Sequence, residues 1–313
     1  MKQYLIPITV SILLGAGHLR AATDQAWLRS YNIVWTNQSA NARGSMPIGA
    51  GNIGLNVWVE KDELLIYIGS PDSWSYRGKG FNTQMQTKLG RLRLKFTPVA
   101  WAREFRQELE LASNSIRLSG KTADGQAIKL RVWVDALQPV VHLEGQSDSP
   151  LEAAVSVEFP TGLAMAPHHE GQTYGPLDRE GRVDGDAIEW WERSPAIDEG
   201  REEYIRRFHV EAIAELLPNP MANRTMGGRL SGAGFVADGT GLGTYDGREF
   251  RSVKLKSAKP LKTFDLRASL RIAQDATLEQ WQAQVKKLDA AKRATTQADW
   301  KASAAWWQGF WDR

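Results

Sequence analysis

Apolar and polar residues alternate along most of this chain. Leu92, Leu94 and Phe96 alternate with Arg91, Arg93 and Lys95. Ile128, Leu130, Val132 and Val134 alternate with Lys129, Arg131 and Trp133, and Leu266, Ala268, Leu270 and Ile272 with Asp265, Arg267, Ser269 and Arg271. A period of two puts one strand face in a core and the other toward water, as in antiparallel sheets. Further strands are predicted over 53–59, 64–68, 103–111, 115–119, 140–144, 153–159, 187–192 and 204–216. So many strands with so little helix predict a large, mainly β, antiparallel sandwich.

The period changes near the C-terminus. Thr277-Leu278-Glu279-Gln280 reads as a capping box, and Leu278, Trp281, Val285 and Leu288 follow at helical spacing. A second helix is expected from about Ala298 onward. Trp300, Trp307 and Trp311 fall on one face of it, widened by Trp306 and Phe310. A stripe this rich in Trp needs a large surface to cover it. The three expected segments are 1–22, 23–275 (the sandwich) and 276–313 (helical).

The first segment reads as a secretory signal peptide. Lys2 precedes the apolar run 5–17, and Leu19-Arg20-Ala21-Ala22 offers small residues for cleavage. An uncleaved anchor or a buried first helix are the rival readings, but the run falls short of the roughly 20 residues that span a bilayer. Periplasmic or extracellular location is the expectation, with no membrane contact after cleavage.

Composition narrows the chemistry. The chain has 313 residues, 39 Lys and Arg against 36 Asp and Glu, and no Cys. A net charge of +3 is too balanced for a nucleic-acid binder. The lack of Cys excludes disulfides, thiolate metal sites and thiol catalysis. No cofactor and no metal are expected. Gly49-Ala50-Gly51-Asn52-Ile53-Gly54 spells a dinucleotide fingerprint, but strand patterns flank it and no βαβ unit is available. It reads instead as a glycine-rich turn leading into a hairpin. His168, His169 and Glu170 form the densest set of ligand-type residues. Adjacent strand residues point to opposite faces, so a structural or sugar-contacting loop is expected there. No nucleophile elbow is present. Asp178, Glu180, Asp184, Asp186 and Glu189 read as a solvated acidic loop, and Gly227-Gly228 with 232–247 as a long glycine-rich connection. Thirteen Trp make carbohydrate stacking plausible for the set, with Trp74 in a turn and Trp190 and Trp191 on opposite faces of a strand.

Several segments then carry a resemblance. Ser45-Met46-Pro47-Ile48-Gly49-Ala50-Gly51-Asn52-Ile53-Gly54 resembles the Met-Pro-hydrophobic-Gly-Asn-Gly motif that opens bacterial fucosidase-type glycosidases. Residues 55–60, 67–74, 223–228 and 306–312 are similar to a narrower family of exported bacterial proteins, domain of unknown function 5703. The resemblance runs over roughly 27–313. It implies an N-terminal β-supersandwich joined by linker helices to a six-hairpin (α/α) barrel. That barrel would hold the catalytic carboxylates, so none is expected in this sequence. The loop around Met46–Asn52 would approach the barrel's sugar pocket. Ala50 stands where relatives commonly have Asn and brings no polar group there.

These readings give an accessory domain of a secreted glycoside-hydrolase-like protein, not catalytic alone. A stand-alone carbohydrate-binding module is the alternative. A complete glycosidase using carboxylates such as Asp72 or Glu170 is a third. Carbohydrate-site candidates are Met46, Asn52, Asp72, Trp74, His168, His169, Glu170, Trp190 and Trp191. Trp300, Trp306, Trp307, Phe310 and Trp311 are candidates for the interface with the missing domain.

Overall fold

The computed structural model describes residues 26–76, 84–160, 179–197, 199–291 and 295–313. Helix α1 (Ala26–Arg29) leads into strand β1 (Ile33–Trp35). Then come β2 (Met46–Ala50), β3 (Ile53–Glu60), β4 (Glu63–Gly69), β5 (Trp74–Tyr76), β6 (Gln84–Gln86), β7 (Gly90–Thr97) and β8 (Arg103–Glu110). These are followed by β9 (Ser115–Lys121), β10 (Ala127–Val134), β11 (Val140–Pro160), β12 (Arg179–Asp184) and β13 (Ala187–Arg193). After α2 (Glu199–Phe208) the chain runs through β14 (Arg224–Gly232), β15 (Phe235–Tyr245), β16 (Arg248–Ser257) and β17 (Leu261–Gln274), and ends in α3 (Leu278–Ala290) and α4 (Thr296–Trp311).

Fifteen strands form one connected antiparallel system, and β5 with β6 makes a separate ribbon. The 21-residue β11 joins two sheets. Its first half pairs with β10 and β17 in the order β1-β8-β9-β10-β11-β17-β14-β13-β12. Its second half pairs with β7 and β16 in the order β2-β3-β4-β7-β11-β16-β15. A register shift between Gln146 and Leu151 lets the strand change sheets there. Inward residues of both sheets meet in one core that includes Leu55, Ile66, Leu94, Val132, Leu143, Val157, Leu255 and Leu266. This is the expected large sandwich.

Tight turns set the hairpins. Lys61 and Asp62 both have positive φ, 49° and 64°, as do Asp246 and Gly247, 52° and 71°. Two-residue turns of that kind match the right-handed twist of the flanking strands. The second corrects the sequence reading: 232–247 is no linker, because most of it is β15, folded against β16 by the Asp246-Gly247 turn. Gly227 and Gly228 likewise lie within β14.

Two further expectations change. Residues 204–216 are the end of α2 and a short 3-10 helix, Glu211–Leu216, instead of a strand. Tyr204 and Phe208 stack at 4.6 Å, four residues apart, and Ile205 is buried beside them. That is a helical spacing. The acidic stretch is not a solvated loop but the β12–β13 hairpin. Glu189 is buried there and accepts from Arg182 and Arg229 at 2.9 Å each.

Part of the polar side of the first sheet is covered as well. Helices α3 and α4 roof it. Thr277 caps α3 by accepting from Gln280 N at 3.2 Å, as the capping box predicts. Trp281 and Val285 are buried against Trp191. Arg267 donates to the Leu288 carbonyl at 3.2 Å, and Ser231 to Asp289 at 2.9 Å. Where the helices lie over β10, β11 and β17, the alternation therefore serves two interfaces: an apolar core on one side and a polar layer under the helices on the other. His142 stacks on Trp133 in that layer at 3.9 Å. Burial, with the positive charges of Arg267 and Arg131, pulls its pKa down to about 3.

Candidate functional site

The site begins with the glycine motif. Strands β2 and β3 pair from Met46 opposite Val57 to Ala50 opposite Ile53, with Gly51 and Asn52 at the tip. Gly51 has φ +58, which a residue with a Cβ adopts only at a cost. A Cβ on Gly49 would lie 2.6 Å from the Ile53 carbonyl. The motif leads into strand β3, as the following strand pattern predicts, instead of a helix that could face a pyrophosphate, and it adds a hairpin of its own with β2, which the pattern does not predict.

The hairpin tip meets the loop 70–73. Asn52 Nδ2 donates to Asp72 Oδ2 at 3.1 Å. The loop is held from within: Asp72 N donates to Ser70 Oγ at 3.1 Å, and the buried Ser73 hydroxyl donates to the Ser70 carbonyl at 2.7 Å. Trp74 Nε1 donates to the Pro71 carbonyl at 2.9 Å, which fixes the indole beside the loop with 43% of its surface exposed. Arg224, at the start of β14, donates to the Asp72 carbonyl at 2.6 Å. Asn52, Asp72, Trp74 and Arg224 therefore share one surface. It offers an amide, a carboxylate, a guanidinium and an exposed aromatic face.

Two open cavities flank the motif hairpin. The larger, about 560 Å³, is bounded by Asn52, Leu137, Arg271, Gln284 and Lys287. The smaller, about 470 Å³, is bounded by Asn56, Pro71, Gln86 and Lys88. Concave, mixed polar and apolar surfaces of this size suit small ligands.

The other candidates are scattered. Met46, Trp190 and Trp191 are buried and present no ring or thioether to solvent. Trp190 enters the main core and donates to the Leu89 carbonyl at 3.0 Å, while Trp191 lies under α3. They do point to opposite faces of β13, because α3 covers the side away from the core. His168, His169, Glu170 and Asp178 lie outside the described residues. Trp300 packs on the sheet, 5.3 Å from Trp133 and with the Arg131 guanidinium 3.9 Å from its ring. Trp311 Nε1 donates to the Leu111 carbonyl at 3.1 Å. Trp306 and Phe310 are exposed, at 41% and 43%, with rings nearly parallel 5.9 Å apart. Trp307 packs edge-on to both.

Arg224, Lys88 and Lys287 reach the site without being sequence candidates. The segment Asn223–Gly228 carries part of the resemblance, and that is the available signal for Arg224. The two lysines have no local signal, since only the fold brings them to the cavities.

Among the described residues, Glu108, Asp184 and Glu279 have lowered pKa values. Glu108 is raised by burial but lowered further by hydrogen bonds from Asn32 and Arg106. Hydrogen bonds from Lys286 and Arg229 lower Asp184, and backbone and Thr277 hydrogen bonds lower Glu279.

Sheet order, roofing helices and motif hairpin together define a large antiparallel β-supersandwich followed by C-terminal helices. The chain belongs to the family described as Domain of unknown function (DUF5703), whose N-terminal profile matches residues 34–313. Among solved structures it is similar to a chain described as a putative kojibiose phosphorylase from the human microbiome. The identity is 12% and the TM-score 0.52, covering 90% of this chain and 38% of that one. It is also similar to a bacterial glucoamylase solved with acarbose, at 8% identity and a TM-score of 0.36, covering 89% of this chain and 40% of that one. The chain thus spans well under half the length of either. Comparison with curated proteins gave no match.

Proposed function

We propose that this chain is the non-catalytic N-terminal part of an exported protein of glycoside-hydrolase type, and that its Met46–Asn52 hairpin helps to shape that protein's sugar site. One observation carries the reading. Nearly all of this chain corresponds in fold to well under half of a larger carbohydrate-active neighbour. The rest of such a protein has room for a catalytic domain. The exposed Trp306 and Phe310, on the last helix, are where that domain would dock. In this reading the general acid and base lie beyond the present residues, and residues 1–22 direct export. The test is turnover of α- and β-glycosides, by hydrolysis and by phosphorolysis, using the purified chain. No turnover is expected. Turnover that is lost in Asp72→Asn would overturn the reading and favour a complete enzyme. Fractionation of the source cells should find the protein outside the cytoplasm.

A binding module is the second reading, and the exposed Trp74 favours it. The indole is fixed by the Pro71 carbonyl beside Asn52, Asp72 and Arg224, an arrangement that can stack on a sugar ring and bond its hydroxyls. Glycan binding should then weaken about tenfold in Trp74→Ala, a loss of about 1.4 kcal/mol. Binding that is unchanged in a folded Trp74→Ala variant removes Trp74 from the account.

A further inference from the structure

Three side chains meet beneath α4, and one of them, Asp135, also stands at the edge of the larger cavity. Asp135 follows β10 and starts the turn into β11. His142 lies in β11. Asp299 lies in the first turn of α4, which Thr295 caps. One ligand atom from each falls within 4.8 Å of the other two. All three are buried, His142 to 1% exposure, and among the described residues neither nitrogen of its ring has a hydrogen-bond partner. An imidazole sealed from water with both nitrogens unsatisfied is costly, because folding removes its bonds to water and returns none.

Asp135 and Asp299 bring two carboxylates to the one ring. Of the two guanidiniums nearby, Arg131 is engaged by Glu144 at 2.9 Å. Arg267 pairs with Asp299 at 3.6 Å and also donates to the Leu288 carbonyl at 3.2 Å. Two carboxylates and an imidazole, set in a buried layer, offer three donor atoms within reach of one ion.

We propose that Asp135, His142 and Asp299 bind one divalent transition-metal cation of the zinc class, through an imidazole nitrogen and two carboxylate oxygens. One nitrogen with two hard oxygens is a donor set that Zn²⁺ accepts, whereas Ca²⁺ takes six or more oxygens. Zinc bonds of about 2.0–2.2 Å place tetrahedral ligand atoms about 3.5 Å apart, so the more distant pairs close by about 1 Å on binding. Leu137 N already orients the Asp135 carboxylate through a 2.7 Å bond to Oδ1. The buried Ser303 hydroxyl, one turn along α4 from Asp299, accepts from Ala136 N at 3.1 Å and ties the same helix to the same turn. The site clamps α4 onto β10 and β11 and so fixes the direction in which the last helix leaves the sandwich. No local spacing motif announces it, because the fold alone brings α4 to the β10–β11 hairpin.

The test uses the whole chain, stripped with a chelator and then given Zn²⁺, with Co²⁺ as a spectroscopic probe. About one equivalent of Zn²⁺ per chain should remain after desalting. The Tm should rise by about 5 °C or more at a metal concentration about 100 times the dissociation constant. Visible absorption of bound Co²⁺ should report a nitrogen and oxygen ligand set. Asp135→Asn and Asp299→Asn keep shape and remove charge, and each should weaken binding at least tenfold. If one fails to fold by circular dichroism, the other is read. The double variant His168→Ala, His169→Ala should still hold the metal. Retention far below one equivalent with an unmoved Tm overturns the proposal. Equal affinity in a folded Asp299→Asn does so too, as does loss of binding in the double variant, which places the metal elsewhere.

Discussion

Glycines in this chain carry two different constraints, and their substitution separates them. Gly51 sits at φ +58 with nothing within 4 Å of the place a Cβ would take, so only the backbone conformation resists a side chain. Gly51→Ala should cost about 1–2 kcal/mol. Gly227 faces the neighbouring strand, where a Cβ would lie 2.0 Å from the Trp190 carbonyl and 2.8 Å from Trp191 Cα. Backbone atoms in a paired strand have little room to move, so Gly227→Ala should cost about 3 kcal/mol or more, at the upper end of overpacking penalties. Urea unfolding of both variants checks the order, and a larger loss at Gly51 would contradict it. The turn at Gly51 was legible in sequence from its glycines and the strand pattern that follows, whereas strand β2 before it was not. The crowding at Gly227 was not, because it depends on β13 lying alongside.

Among elements, α3 is the most legible and the most tightly held. Its cap, period and apolar stripe all follow from local rules, and the stripe residue Trp281 is fully buried. Trp281→Ala should cost about 3–5 kcal/mol and Thr277→Ala about 1 kcal/mol. Trp306→Ala on α4 should change stability by no more than about 0.5 kcal/mol, since its ring is exposed in this chain. Thermal or urea unfolding of the three variants measures the ranking. A large loss at Trp306 would mean that its ring is covered within the domain. The periodicity of α4 predicted which Trp share a stripe. It did not predict that Trp300 would be taken up by Arg131 and Trp133 while Trp306 remained exposed. The β15–β16 hairpin was obscured for a different reason. Its glycines read as breakers, and only the Asp246-Gly247 turn and cross-strand pairing show them as strand.

At the scale of the molecule, charged clusters fasten the helices to the sandwich. Asp184, at the end of β12, binds Arg229 of β14 at 2.5 Å and Lys286 of α3 at 3.0 Å. Hydrogen bonds from Lys286 and Arg229 hold its pKa below the ordinary 3.8. A carboxyl lowered in the folded state stabilises the fold above its unfolded pKa, and that contribution is lost as pH falls through the folded value. Stability should therefore hold steady through this group above about pH 4 and decline below it. Asp184→Asn should flatten part of that decline. The group is partly exposed, so added salt should weaken the effect. Urea midpoints across this range, with and without salt, provide the check. An acid limb that is the same in the variant would mean that other groups carry it.

Sequence by itself determined most of the strands, the capped helix α3, the extent of α4, the glycine-rich turn ahead of β3 and the family to which the chain belongs. Each of these structural features depends on neighbours within a few residues: the pleat of a strand, the turn of a helix, the one φ that a glycine allows. Tertiary structure decided the rest. It decided that β11 serves two sheets, that part of the polar side of β10, β11 and β17 lies under helices, and that Asn52 meets Asp72 while Trp190 and Trp191 disappear inside. It also brought Asp135, His142 and Asp299 together from three elements. Alternation records only that a strand has two unlike sides. What covers each side depends on long-range pairing, in which residues far apart in the chain compete to bury the same surface.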